Sequence, residues 1–320
     1  MATTQQAQAL PTKSTRVGFG EALLEIGRRN PNVVALTADT YTLSCIDMFG
    51  REFPECTFDI GIAEQNLIGM AAGLASCGLI PFATSYAPFL TTRSLEQIRN
   101  DAAYTKFPVR IVAVCGGISI SVGGSTHHAI DDFSILRAIP NMTIIAPADA
   151  VESYKATHAM VDLPGPVYLR LGGRAPEPLL NAGDYPFEIG KAVQLRDGKD
   201  LTIIACGSLV LPALQAAETL ARDGVEARVL NMHTIKPIDR EAIAKAARDT
   251  RRIVTAEEHN VLGGLGSAVA EVVAQTYPVP MRMLGINDEF ATIGPLAALY
   301  ERYNLTKDGV IATAKAVLEA

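Results

Sequence analysis

Short apolar runs alternate with helix-periodic segments along the chain, and this alternation limits the fold more than any other feature. Strands are expected at Val33–Thr37, Ile80–Thr84, Val109–Val114, Met142–Ile145, Val167–Leu171, Leu201–Cys206, Ala227–Leu230, Arg252–Thr255 and Met281–Leu284. Helices are expected between them near Arg16–Arg29, Glu64–Cys77, Ser94–Tyr104, Ala150–Val161, Leu211–Asp223, Arg240–Asp249 and Ser267–Thr276. Strands separated by helices pair in parallel, with the helices covering both faces of the sheet. The reading is α/β, with doubly wound, mostly parallel sheets. Asp149 and Asp239 each precede a helix, where a carboxylate satisfies free backbone N–H groups.

The alternation breaks once, over the Gly- and Pro-rich segment Gly172–Phe187 (GGRAPEPLLNAGDYPF). A break of that composition marks a domain boundary. The division expected is a short polar, flexible tail over 1–13, a first α/β domain over 14–175, a linker over 176–187 and a second α/β domain over 188–320. The chain has 320 residues, 48% hydrophobic and only 19% charged. An average soluble domain is about 25% charged, so the shortfall points to a large core, a large buried interface, or both. A net charge of −6 without a basic run argues against a nucleic-acid footprint. Without a run of eighteen apolar residues, no membrane span is expected. The opening MATTQQAQALPTK lacks the apolar stretch of a signal peptide. Five cysteines, an odd number without a CxxC, suggest reduced thiols in a cytoplasmic protein rather than disulfides or zinc. The histidines show no metal-ligand spacing.

Three segments carry candidate chemistry. In FDIGIAEQN a strand-like run enters a helix of small and apolar residues, which puts Glu64 at the helix mouth. An acid there is either a plain partner of the helix dipole or a buried carboxyl able to share a proton. PFATSYAPF then brings Tyr86 and Phe89 to the carboxyl end of a parallel strand, the edge at which α/β sheets bind ligands. Two aromatics there serve either packing or stacking. Finally, Gly123-Gly124-Ser125-Thr126 presents His127 and His128. The alternatives are a glycine turn with one solvent and one capping histidine, or a proton donor at the sheet edge.

Taken together, GIAEQN, PFATSYAPF, GGSTHHAIDDFSILRAIPNM and GPVYLRLGGR resemble, in this order, the pyrimidine-binding domain of thiamine-diphosphate enzymes of the transketolase type. VLNMHTIKPID and EEHNVLGGLGSAVAEVVAQ resemble that family's C-terminal domain. The resemblance extends over nearly the whole chain beyond the tail. The family plan also includes a diphosphate-binding domain whose GDG…N motif holds magnesium and the cofactor's phosphates, and no GDG occurs here. The resemblance therefore implies a split transketolase. Its second chain, an N-terminal subunit carrying the GDG motif, would complete the thiamine diphosphate and magnesium site, and two copies of each chain would form a heterotetramer.

The resemblance also implies roles. Glu64 hydrogen-bonds a ring nitrogen of the aminopyrimidine and so promotes loss of the thiazolium proton. Phe89 stacks on that ring and Tyr86 belongs to the same pocket. His127 lies near the reacting carbon and the donor's hydroxyls. Arg16 matches an arginine on the sugar phosphate, and Arg174 matches another after a register shift at Gly172-Gly173. Asp39 resembles a residue near the cofactor's cleft, although a turn acid has the same appearance. The implied reaction moves a two-carbon ketol unit from a ketose phosphate to an aldose. Two departures bear on the donor: Val122-Gly123-Gly124 stands where the family often has GEDG, and Cys115 stands near a family histidine. IGKAVQLRDGKDLTII and NMHTIKPID also fit the beta subunit of a 2-oxo acid dehydrogenase, but GIAEQN and STHH fit transketolase better. A non-catalytic scaffold or regulatory subunit is the third reading. Glu257-Glu258-His259-Asn260 reads as a structural loop outside the catalytic centre, and Gly263-Gly264-Leu265-Gly266 as the opening of the last long helix.

Overall fold

The computed structural model describes residues 10–180, 185 and 187–320. Among the described residues, two large sheets account for most of the fold. The first has seven strands in the order Thr234–Lys236, Thr143–Ile145, Val167–Arg170, Arg110–Val114, Ile80–Tyr86, Val33–Thr37 and Thr57–Asp59. All neighbours run parallel except Thr234–Lys236, which is antiparallel to Thr143–Ile145. The second has five strands in the order Met281–Ile286, Ile253–Asn260, Leu201–Ala205, Ala227–Asn231 and Val193–Arg196, the last antiparallel. The central strands Val33–Thr37, Arg110–Val114, Val167–Arg170 and Leu201–Ala205 are buried along their whole length. Strands covered on both faces read as continuous apolar runs, which makes them visible in the sequence.

Helix starts follow the expected capping chemistry. Asp149 accepts from the Glu152 N–H at 2.8 Å and Asp239 from the Ala242 N–H at 3.0 Å. Several elements were not expected: the helices Asp47–Glu52, Leu296–Arg302 and Lys307–Leu318, and the edge strands Val193–Arg196 and Thr234–Lys236. Edge strands carry less apolar burial and leave a weaker pattern. The helix that Gly263-Gly264 opens, Leu265–Thr276, is followed by two more and is not the last.

The proposed division of the chain meets three structural facts. Residues 1–9 of the tail and 181–184 and 186 of the linker lie outside the described residues. Thr12–Lys13, at the end of the tail, pairs antiparallel with Glu177–Pro178 of the linker. The edge strand Thr234–Lys236 comes from the C-terminal half yet completes the first sheet, so the halves share a sheet as well as a face. Glu257-Glu258-His259-Asn260 requires a correction. These residues form the end of the long strand Ile253–Asn260, and Glu257, Glu258 and His259 are buried. Glu257 accepts from the Leu265 and Gly266 N–H groups of its own domain, whereas Glu258 and His259 meet the first domain, Glu258 at the Ile118 N–H and His259 on the Phe133 ring.

Glu152 is another buried acid at the domain junction. It accepts from the Ala148 N–H at 2.6 Å, from Tyr185 Oη at 3.0 Å and from Asn231 Nδ2 at 2.8 Å, and Asn231 belongs to the second sheet. Burial pushes the Glu152 carboxyl up to about 7, and likewise Glu257. A raised carboxyl makes its stabilising contribution below its unfolded value of 4.5 and loses it as pH rises through 7. Burial depresses His233 and His259 to about 4, which opposes this trend between about 4 and 6.5. The clean observable is therefore a difference between variants. Glu152→Gln gains stability relative to the parent as pH rises from 5 to 8, by up to about 3 kcal/mol. Urea unfolding at four pH values across that range measures it, and a pH-independent difference would refute the buried-acid reading.

Candidate active site

The parallel strands of the first sheet deliver their carboxyl ends to one edge, and the expected site residues lie along it. Thr57–Asp59 turns through Gly61, at φ +72°, into the helix Glu64–Ser76. Leu67, Ile68, Ala71 and Ala72 bury one face of that helix in the core and so fix Glu64 at its mouth. Glu64 is 1% exposed. Its carboxylate accepts from Ser85 Oγ at 3.2 Å and from Arg93 Nη1 at 2.5 Å. Ser85 is itself buried, one residue before the end of the strand Ile80–Tyr86.

Next to this carboxylate, three rings meet edge to face. Tyr86 and Phe89 lie 5.8 Å apart, Tyr86 and His127 5.7 Å, and Phe89 and His127 5.0 Å. Edge-to-face contacts suit the ring quadrupoles and hold each plane at a set angle. Tyr86 and Phe89 are half-buried, so the cluster is walled by protein yet open on one side. Phe89 does not lie in a simple loop. It opens a helical run wound as π-helix over Phe89–Arg93 and Ile98–Tyr104, and wide turns of that kind concentrate at functional sites. The same turn places the Arg93 guanidinium 4.5 Å over the Phe89 ring.

His127 is presented by a closed loop. Gly117 and Ala129 exchange backbone hydrogen bonds of 3.1 and 2.8 Å across its base. A side chain on Gly117, at φ +62°, would run into Glu258 at 2.4 Å, so only glycine allows this approach. The His127 N–H donates to the Gly124 carbonyl at 2.9 Å, and its Nδ1 lies 3.0 Å from Thr126 Oγ1. His128 points inward and is buried, its Nε2 3.2 Å from the Ser121 carbonyl, and burial lowers its pKa. The C-terminal half fastens the tip, where Ser125 Oγ donates to the Ala291 carbonyl at 2.6 Å.

Comparison with known proteins identifies the family. Residues 12–175 match the family model "Transketolase, pyrimidine binding domain" and residues 190–310 match "Transketolase, C-terminal domain". The chain belongs to the transketolase family. It is 42% identical to one of the subunits of the apulose-4-phosphate transketolase of Phocaeicola vulgatus, over 93% of this chain and 96% of that one. It is 40% identical to the 6-deoxy-6-sulfo-D-fructose transketolase subunit SqwH of a Clostridium species, over 94% of this chain and 93% of that one. A solved structure described as a split gene transketolase, inactive beta4 tetramer, superposes with a TM-score of 0.88 at 43% identity, covering 96% and 99% of the two chains. The transketolase of Campylobacter jejuni shares the fold at a TM-score of 0.83 and 21% identity, and this chain spans 48% of it.

The remaining expected residues of this transketolase-family chain occupy the same sheet edge in different ways. Arg16 is buried. Its Nε donates to the Gly173 carbonyl at 2.7 Å and its Nη1 to the Leu43 carbonyl at 2.5 Å. Arg174 follows Gly173 and is exposed. Asp39 is exposed at φ +55° beyond the strand Val33–Thr37, its N–H donating to Asp59 at 3.0 Å. Asp59 also receives the Gly61 N–H at 3.0 Å, which links Asp39 to the turn that feeds Glu64. Sequence reasoning missed Arg93, which no motif sets apart from the other surface arginines, and misplaced Glu258. Among the described residues, no three His, Cys, Asp or Glu side chains gather as a metal site, and no helix is long and apolar enough to cross a membrane.

The Ser125–Ala291 bond gives a direct test of how the loop is held. Ser125→Ala removes one hydrogen bond worth about 1 kcal/mol, so the amides of 123–127 should exchange about fivefold faster. Protection in the strands should be unchanged. Hydrogen-exchange mass spectrometry reads this out, and an unaffected loop would show that the C-terminal half does not hold it.

Proposed function

We propose that this chain is the pyrimidine-binding subunit of a split transketolase, transferring a two-carbon ketol unit from a ketose phosphate to an aldose. The observation that carries the reading is the fully buried Glu64 carboxylate beside the half-open Tyr86–Phe89–His127 cluster. These residues fit an aminopyrimidine: Phe89 offers a ring face, Glu64 offers a carboxyl to a ring nitrogen, and Tyr86 closes the wall. Bound thiamine diphosphate supplies the nucleophilic carbon that attacks the donor's carbonyl.

The chain's own residues orient and protonate. Glu64 sits where water is excluded, so a proton shared with a ring nitrogen is not lost to solvent. His127, with Nδ1 near Thr126 Oγ1, faces the cluster and is placed to exchange a proton with substrate hydroxyls. Arg16, anchored on two carbonyls, and the exposed Arg174 beside it are assigned to the substrate phosphate, because a guanidinium fork matches phosphate oxygens. Asp39 borders the cofactor's cleft. Magnesium and the diphosphate belong to the partner subunit with the GDG motif, and the assembly is a heterotetramer. The free thiols fit a cytoplasmic location.

The test is reconstitution. Alone, this chain should show no ketol transfer. Combined with a GDG-bearing partner, thiamine diphosphate and magnesium, it should turn over sugar phosphates. Glu64→Gln should lower that rate by about 10²- to 10⁴-fold. Full activity without a partner, or an unchanged rate in the Gln variant, would overturn the assignment. The second outcome would favour a scaffold role.

A further inference from the structure

The site assigned to the aminopyrimidine already has an occupant supplied by the chain itself. Arg93 lies 4.5 Å over the Phe89 ring and donates to Glu64 Oε2 at 2.5 Å. It therefore holds both features that a flat heteroaromatic base would need there, the ring face and the buried carboxylate. The two partners differ in freedom. Glu64 is 1% exposed and fixed by the helix it opens, whereas Arg93 is 43% exposed on a wide π-type turn and can withdraw into solvent. A carboxylate buried this deeply needs a counter-group, because an unpaired buried charge is strongly destabilising. Among the described residues, Ser85 Oγ, a single neutral donor, is the other hydrogen-bond partner of the Glu64 carboxylate.

We propose that Arg93 is a displaceable latch: it pairs with Glu64 and covers Phe89 while the subunit lacks cofactor, and it swings out when the pyrimidine ring enters. The inference rests on the assignment of Glu64 and Phe89 to the pyrimidine. The exchange is balanced, since the base brings a ring to stack on Phe89 and a nitrogen to bond Glu64, replacing the two contacts that Arg93 gives up. The latch keeps the unassembled subunit's site closed and makes cofactor capture compete with an internal cation. Arg93 is thus a positioning residue that acts through Glu64.

The experiment titrates thiamine diphosphate into the assembled two-chain enzyme at saturating magnesium, read by near-ultraviolet circular dichroism. Losing one ion pair and one cation–π contact should tighten cofactor binding in Arg93→Ala by about tenfold. Arg93→Met keeps the stem over Phe89 without the charge, so its Kd should also fall, by less. Arg93→Lys keeps the charge against Glu64 and should stay close to the parent. In a Glu64→Gln background, Arg93→Ala should change the Kd by less than about threefold, because the two residues act as a pair. Should Arg93→Ala not assemble, the Met variant decides. An unchanged or weaker Kd in a variant that retains the parent's Tm overturns the latch. If the parent assembly itself binds no cofactor, the pyrimidine-site assignment fails and the latch fails with it. Parent binding with unmoved variants defeats the latch alone.

Discussion

The guanidinium of Arg170 joins everything that has to stay in register around the site. It ends the strand Val167–Arg170, pairs with Asp132 at 2.9 Å and lies 4.3 Å over the Phe133 ring. Its Nη2 donates to the Ala129 carbonyl at 2.7 Å and to the Glu258 carbonyl at 3.0 Å. Ala129 is two residues beyond His127, and Glu258 belongs to the second sheet. One buried cation therefore connects the first sheet, the histidine loop and the second domain. A pair this deep is costly to desolvate. Its neighbours are held in turn: Tyr168 Oη donates to Asp132 at 2.7 Å, and Phe133 stacks on His259 at 5.1 Å.

This network changes the role of the C-terminal half. The Glu258 carboxylate accepts from the Ile118 N–H at 2.7 Å, from Ser208 Oγ at 2.5 Å and from Tyr300 Oη at 2.9 Å. Ile118 lies at the base of the loop that carries His127, and Ser125 at its tip is bonded to Ala291. The second domain contributes no ring to the cluster, yet it holds both ends of the loop that does. The low charged fraction takes on a different meaning as well. Glu64, Arg110, Asp132, Glu152, Arg170, Glu257 and Glu258 are all buried, so part of an already low charge lies inside the protein and not on its surface.

The sequence was most legible where one local pattern decides the outcome. Glu64 was recognisable because a strand-like run meets a small-residue helix. Tyr86 and Phe89 were recognisable because aromatics followed a buried parallel strand. Their joining with His127 into one site was legible only through the family resemblance, because it depends on a π-type turn and a closed loop separated by many residues. Arg93 failed for the same reason: its partner lies 29 positions away, and an arginine on a helical face looks like any solvated charge. Glu257-Glu258-His259-Asn260 was misread because four polar residues in succession suggest a loop. The packing of one domain on the other buries Glu258 and His259, and the start of the helix Leu265–Thr276 takes up Glu257. Arg16 was expected on a phosphate, and the carbonyls of Leu43 and Gly173 that anchor it come from loops whose positions no local pattern fixes.

The two departures from the family pattern differ in weight once burial is known. Cys115 is buried at φ +59°, and burial pushes its thiol up to about 11. A neutral, enclosed thiol offers nothing to a substrate hydroxyl, so replacing a histidine there removes a contact without supplying another. Val122 is 69% exposed in the turn Ser121–Gly123 on the His127 loop. Where family members often carry an acid able to bond a donor hydroxyl, this chain offers two methyl groups. On the proposed assignment, donor recognition on this side would rest with His127 and the arginines, and Val122 would offer it no polar group. A donor lacking a hydroxyl at the corresponding carbon, or carrying a branch there, loses least by this exchange, because it leaves no polar group unpaired against Val122.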